Sequence, residues 1–74
     1  MFINRLKTAG THNYCRNAFV VYQGLDISLV SDGIDICTIK KDGKVVMRCG
    51  ENELSTSDKR HLNIFYKRFK HRMA

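Results

Sequence analysis

The stretch Leu25-Asp26-Ile27-Ser28-Leu29-Val30-Ser31-Asp32-Gly33-Ile34-Asp35-Ile36 decides the fold. Leu25, Ile27 and Leu29 alternate with Asp26 and Ser28, the two-residue period of a strand with one buried face. Asp32-Gly33 interrupts the alternation, and Ile34 and Ile36 resume it. An Asp-Gly pair between two such runs favours a two-residue hairpin turn, because both central residues need positive φ. The signal recurs at Asp42-Gly43, between Lys41 and Lys44 and ahead of Val45-Val46-Met47-Arg48-Cys49. Upstream, Ala18-Phe19-Val20-Val21-Tyr22 is β-branched and aromatic, and Gln23-Gly24 follows it. These runs predict a four-stranded antiparallel meander.

Two-residue turns at 23–24, 32–33 and 42–43 fix a register. Tyr22 then faces Leu25, Val20 faces Ile27, Leu29 faces Ile36, Ile27 and Met47 both face Thr38, and Ile36 faces Cys49. Directly opposed residues share a face. One face is then nearly all apolar, including Val20, Tyr22, Leu25, Ile27, Leu29, Ile36 and Met47, with Thr38 and Cys49 beside them. The other is mixed, carrying Phe19, Val21, Cys37, Ile39 and Val46 among charged and polar residues.

The last third predicts a helix that covers the apolar face. Ser55 is a suitable N-cap, and Asp58 three residues on completes a capping-box pattern. Leu62, Phe65, Tyr66, Phe69 and Met73 recur at helical spacing on one stripe, while Arg60, Ile64, Lys67, Arg68 and His71 fall opposite. Phe69 and its stripe should therefore pack on Ile27, Leu29 and Ile36. Near the start, Phe2, Ile3, Leu6 and Ala9 allow a short N-terminal helix ending at Gly10, which would cover part of the mixed face. The expected architecture is one α+β domain over 1–74.

The chain has 74 residues, a formal net charge of +6, 43% hydrophobic and 27% charged residues, and no Pro or Trp. That is enough apolar content for one thin core, and too little chain for two domains. Charge is segregated. Residues 1–25 carry +3, residues 26–58 hold all seven acids and carry −3, and residues 59–74 carry +6. A basic segment this dense points to an anionic partner, although a solvated helix face carries the same signature. Arg60, Lys67, Arg68 and His71 form a line of roughly 17 Å along the helix, able to meet several phosphates. Lys41, Lys44 and Arg48 are further candidates for the same anionic partner.

Other chemistries find little support. Cys15, Cys37 and Cys49 are odd in number and widely spaced, which favours free, small buried thiols in a reducing cytosol. His12 and Cys15 make one close pair where zinc sites usually need two. No nucleophile elbow or glycine-rich phosphate loop occurs, so neither enzymatic activity nor a cofactor is expected. The start lacks the apolar core of a signal peptide, and no run is long enough to span a bilayer. The expected setting is the cytoplasm, without membrane contact.

Scattered matches also run in order along the chain: Phe2-Ile3, Leu6, Thr8-Ala9, His12, Asn13-Tyr14, Val21-Tyr22, Gly24, Ser55-Thr56 and Phe65-Tyr66. Through these the chain resembles small phage anti-CRISPR proteins that inhibit the type I-F CRISPR surveillance complex. The resemblance implies a four-stranded antiparallel sheet with helices, and contact with a host complex through tyrosines. Tyr22 stands where one of these falls, and Arg5 stands where the other would be. Tyr14 completes the partner-binding set that the resemblance implies. Two functions follow as expectations. The first is a non-enzymatic inhibitor of a host nucleic-acid-handling complex. The second is direct binding of DNA or RNA by the basic helix.

Overall fold

Five strands form the sheet among the described residues: β1 (Phe2–Lys7), β2 (Tyr14–Gln23), β3 (Asp26–Ser31), β4 (Ile34–Ile39) and β5 (Val45–Met47). The computed structural model describes residues 2–7 and 14–74, and for Tyr14 and Arg16 the backbone alone. The strands are antiparallel and lie in sequence order. A 3-10 turn at Glu51–Glu53 leads into the helix α1 (Thr56–Phe69), which tightens into a second 3-10 turn at Lys70–Arg72. The α+β class and the long C-terminal helix match the sequence reading; the strand count does not.

The extra strand replaces the expected N-terminal helix. Phe2, Ile3, Asn4 and Arg5 pair with Tyr22, Val21, Val20 and Phe19. β2 is ten residues long, so an unpaired outer edge would leave a row of backbone donors and acceptors without partners. A six-residue strand satisfies part of that row, whereas an isolated helix of about two turns is a poor nucleus. The Gly10 cap lies outside the described residues.

The turns keep their residues but not all of their expected lengths. Asp32-Gly33 is the predicted two-residue turn, with φ of 52° and 80° and Ser31 opposite Ile34. The first turn sits one residue later than predicted, at Gly24-Leu25, so Tyr22 faces Ile27 and Val20 faces Leu29. Shifting the sum by two preserves the faces, but Leu25 leaves the apolar face and is exposed at the tip. A bulge opposite Leu29 and Val30 then advances β4 by one residue, pairing Leu29 with Cys37 and Ile27 with Ile39. Cys37 and Ile39 therefore join the helix-covered face, and Thr38 turns to the open face against Ser28, 2.8 Å between hydroxyls. Lys40 N–H donates to Lys44 O at 2.8 Å, closing a three-residue loop that sets Met47 opposite Cys37 rather than Thr38. Cys49 lies beyond β5.

Gly43 carries that loop at φ 91°. A Cβ there would lie 2.6 Å from the backbone nitrogen of Ala74, whose N–H donates to Gly43 O at 2.9 Å. Gly43→Ala should cost about 2 kcal/mol through backbone strain and displaced chain, a fall of roughly 8–16 °C in Tm for a domain of this size. Gly24→Asn, at φ 62° with open space around it, is the control and should cost much less. Equal losses in thermal melts of the two variants would reject this account of the C-terminal clamp.

One core unites both layers. Leu6, Val20, Ile27, Leu29, Ile36, Cys37 and Ile39 from the sheet pack with Phe65 and Phe69 from α1. Leu62, Tyr66 and Met73 pack against it half-buried, as does Ile64, which the helical stripe had placed on the outer side. The Ser55 capping box is present, with Asp58 N–H donating to Ser55 Oγ and Ser55 N–H to Asp58 Oδ2, both at 3.1 Å. No helix among the described residues is long and apolar enough to cross a membrane.

The opposite face of the sheet is covered by no described element. Register places Ile3, Arg5, Phe19, Val21, Ser28, Val30, Thr38 and Val46 on it. The Arg5 guanidinium stacks 5.8 Å from the Phe19 ring centre, so an arginine does part of what the expected helix would have done.

Candidate functional site

A groove of about 480 Å³ runs between β1 and the C-terminal half of α1, lined by Asn4, Arg5, Lys7, Tyr22, Arg68 and Phe69, with Ile3 and Val20. It forms because β1 extends the sheet past the shadow of a single helix. Asn4 shares the helix-covered face with Val20 and Tyr22, and α1 stops short of covering it. The half-buried Tyr22 ring meets Phe69 edge-on at 6.3 Å, so core packing holds the phenol in place. Arg68 is the groove's cation on the helix side, and no carboxylate lines it.

Tyr22, expected as a partner anchor, thus stands beside Arg68, which was singled out on the separate ground of helix charge; Arg5 belongs to the β1 wall, with its guanidinium over Phe19 on the open face. Arg60, Lys67 and His71 are exposed on α1 and its final turn, outside the groove. Phe69 and His71 rings lie 6.4 Å apart. Arg72 is anchored differently, its guanidinium donating to Leu25 O at 3.2 Å. The ion pair among the described residues is Lys40–Asp26 at 3.0 Å, so Arg60, Lys67 and Arg68 are neutralised by no described carboxylate. The Lys40 ammonium and the Lys41 N–H hold the Asp26 carboxyl below its ordinary pKa.

Lys41, Lys44 and Arg48 are not part of this site. They lie at the β4–β5 end, four strand spacings away from β1, roughly 19 Å. Arg48 Nε donates to Thr38 Oγ1 at 3.3 Å. Tyr14 pairs with Lys7 through the backbone, and its side chain, like His12, lies outside the described residues.

Sequence reading missed one constellation. Ser31 Oγ donates to Asp58 Oδ1 at 2.7 Å and lies 2.7 Å from His61 Nδ1, all three buried. The hydroxyl has a single proton and Asp58 receives it, so the ring must donate through Nδ1–H. This is the reverse of a nucleophile–base pair, in which the imidazole accepts the serine proton. Ser31 is fully buried and its oxygen has no access to a substrate. The Ser31 hydrogen bond, with further bonds from Ser55, holds the Asp58 carboxyl below its ordinary pKa against the opposing effect of burial. The trio ties the start of α1 to the end of β3. One sequence signal was present: His61 is three residues after Asp58 and four before Phe65, and so belongs to the inward stripe.

Cys15 and Cys37 are buried and Cys49 is half-buried, and no disulfide links them among the described residues. Burial, with Asp35 nearby, pushes the Cys37 thiol up to about 12, so it is not a thiolate nucleophile near neutrality. No group of three or more metal-ligating side chains occurs among the described residues. No protein-family model matches this chain, and no curated protein or solved structure matches it.

Proposed function

We propose that this chain is a non-enzymatic, phage-type inhibitor that docks on a nucleic-acid-handling complex of the host cytoplasm, a CRISPR effector on the resemblance set out above. The observation that supports a binding role is a carboxylate-free groove, walled by β1, that sets the Tyr22 ring beside Arg68. Tyrosine and arginine are the side chains that most often anchor protein interfaces, since each offers large contact area with a polar handle. The resemblance supplies the class of target, and the groove supplies a surface for it.

A second reading, direct binding of DNA or RNA, is favoured by the unneutralised bases Arg60, Lys67 and Arg68 on the exposed side of α1. Capture from host lysate with and without nuclease separates the two. The inhibitor reading expects nuclease-resistant capture of one complex, weakened roughly thirtyfold by Tyr22→Ala and retained by Tyr22→Phe, as for an interface anchor of about 2 kcal/mol. Thermal melts confirm that both variants remain folded. Nucleic-acid binding expects nuclease-sensitive capture, loss with Lys67→Glu plus Arg68→Glu, and an affinity falling with salt at a slope of roughly −0.9 per duplex phosphate. That second pattern would reject the inhibitor reading.

A further inference from the structure

The sheet ends at β5, and the direction of its unused backbone groups can be worked out. Lys40 N–H donates to Lys44 O, and Arg48 N–H donates to Ile36 O, both at 2.8 Å. Bonding in an antiparallel ladder alternates residue by residue, so Lys44, Val46 and Arg48 turn their backbone groups toward β4. Val45 and Met47 therefore aim their N–H and C=O at the free edge. Their side chains face the helix side, opposite Ile39 and Cys37. There a mainly apolar groove of about 570 Å³ opens between the edge and α1, lined by Met47, Leu54, Leu62 and Tyr66 together with Glu51 and Lys59. Tyr66 Oη donates to Met47 Sδ at 3.6 Å across it. Val45, Val46 and Met47 are exposed by 37%, 37% and 44%, unusual for a hydrophobic edge without a covering element.

We propose that the free edge of β5 is a docking site for an extended, acid-flanked apolar peptide segment of a partner protein. It does not rest on the reading of the β1 groove, which lies at the other edge. Charge chooses the occupant. Lys44 and Arg48 share the open face with Val46 and flank the outward-bonding pair. An added antiparallel strand would set residues opposite Val45 and Met47 over the apolar groove, and residues opposite Lys44 and Arg48 beside the two bases. The matching pattern is acid, apolar, any residue, apolar, acid. A second copy fits poorly, because the register pairing all of β5 with itself puts Lys44 opposite Arg48 and repels.

The test titrates the full chain with a capped peptide, Ser-Asp-Leu-Thr-Val-Asp-Ser, and reads backbone amide resonances and hydrogen exchange. Binding should shift and protect the amides of Val45 and Met47, leaving those of Asn4 and Tyr22 unmoved. Lys44→Glu should weaken binding about tenfold, and a peptide with lysine in place of its second aspartate, the one opposite residue 44, should recover that loss on the variant. Met47→Pro removes an outward N–H that the native ladder does not use, so the fold persists while binding is lost. Failure of the wild-type chain to bind, shifts confined to the β1 groove, affinity indifferent to Lys44→Glu, or self-association through β5 would each overturn the proposal.

Discussion

Phe65→Ala should lower the stability of the fold by about 3–5 kcal/mol. Phe65 is fully buried, with its ring 5.1 Å from Phe69 and 6.4 Å from Tyr66, at the centre of the contact between α1 and the sheet. Truncating a buried phenylalanine costs about 3–5 kcal/mol, because apolar contacts are lost and the cavity collapses only in part. At about 0.05–0.15 kcal/mol per residue, a chain of this length has roughly 4–11 kcal/mol in total. The substitution therefore removes a large share of the stability, and the strands cannot compensate, since among the described residues the helix alone covers their apolar face. Phe65→Leu, which keeps most of the volume, should stay folded with a lowered midpoint in urea. A soluble Phe65→Ala chain with an unchanged midpoint would refute the packing described for α1.

The stripe that places Phe65 in the core was legible in the sequence, and so was the capping box at Ser55 and Asp58. Helical periodicity integrates over four turns, so one misplaced residue, Ile64, does not spoil the pattern. The sheet was legible in its faces on β2 and β3 but not in its register, which shifts by two at the first turn and by one more at the bulge beside Leu29. A bulge inserts a single residue, and nothing in Asp35-Ile36-Cys37 marks the insertion; both Ile36 and Cys37 can be buried. Residues 2–7 were misread because Phe2, Ile3 and Leu6 fit either period over so short a window. What decides them is the free edge of β2, a tertiary fact. The groove beside β1 was unreadable for the same reason, since it exists only once β1 is a strand. Its Tyr22 came from the resemblance and its Arg68 from charge, and no sequence argument joined them.

Asp58→Ala should cost about 2–4 kcal/mol, and the cost should shrink in acid. The side chain completes the capping box, worth about 1 kcal/mol, and accepts from the buried Ser31 hydroxyl. Removing it leaves that donor unpaired, a further penalty of about 1–3 kcal/mol. Because the carboxyl is held below its ordinary pKa when folded, its contribution is complete above the unfolded value near 4 and is lost as pH falls through the lower folded value. Urea midpoints of wild type and variant should therefore differ most at neutral pH, and the gap should narrow as pH falls below the unfolded value near 4. Other acids shift both proteins alike, so the difference isolates this one. Ser31→Ala should be milder alone, and the double variant should lose less than the two separate losses combined, since both belong to one hydrogen-bonded unit. A gap that stays constant from pH 7 to pH 2, or strict additivity of the two substitutions, would show that Asp58 acts without the Ser31 and His61 network. Narrowing would establish the opposite: the chain fixes the pose of its basic helix with a buried polar latch, and the Arg68 wall of the β1 groove depends on that latch through the position of α1.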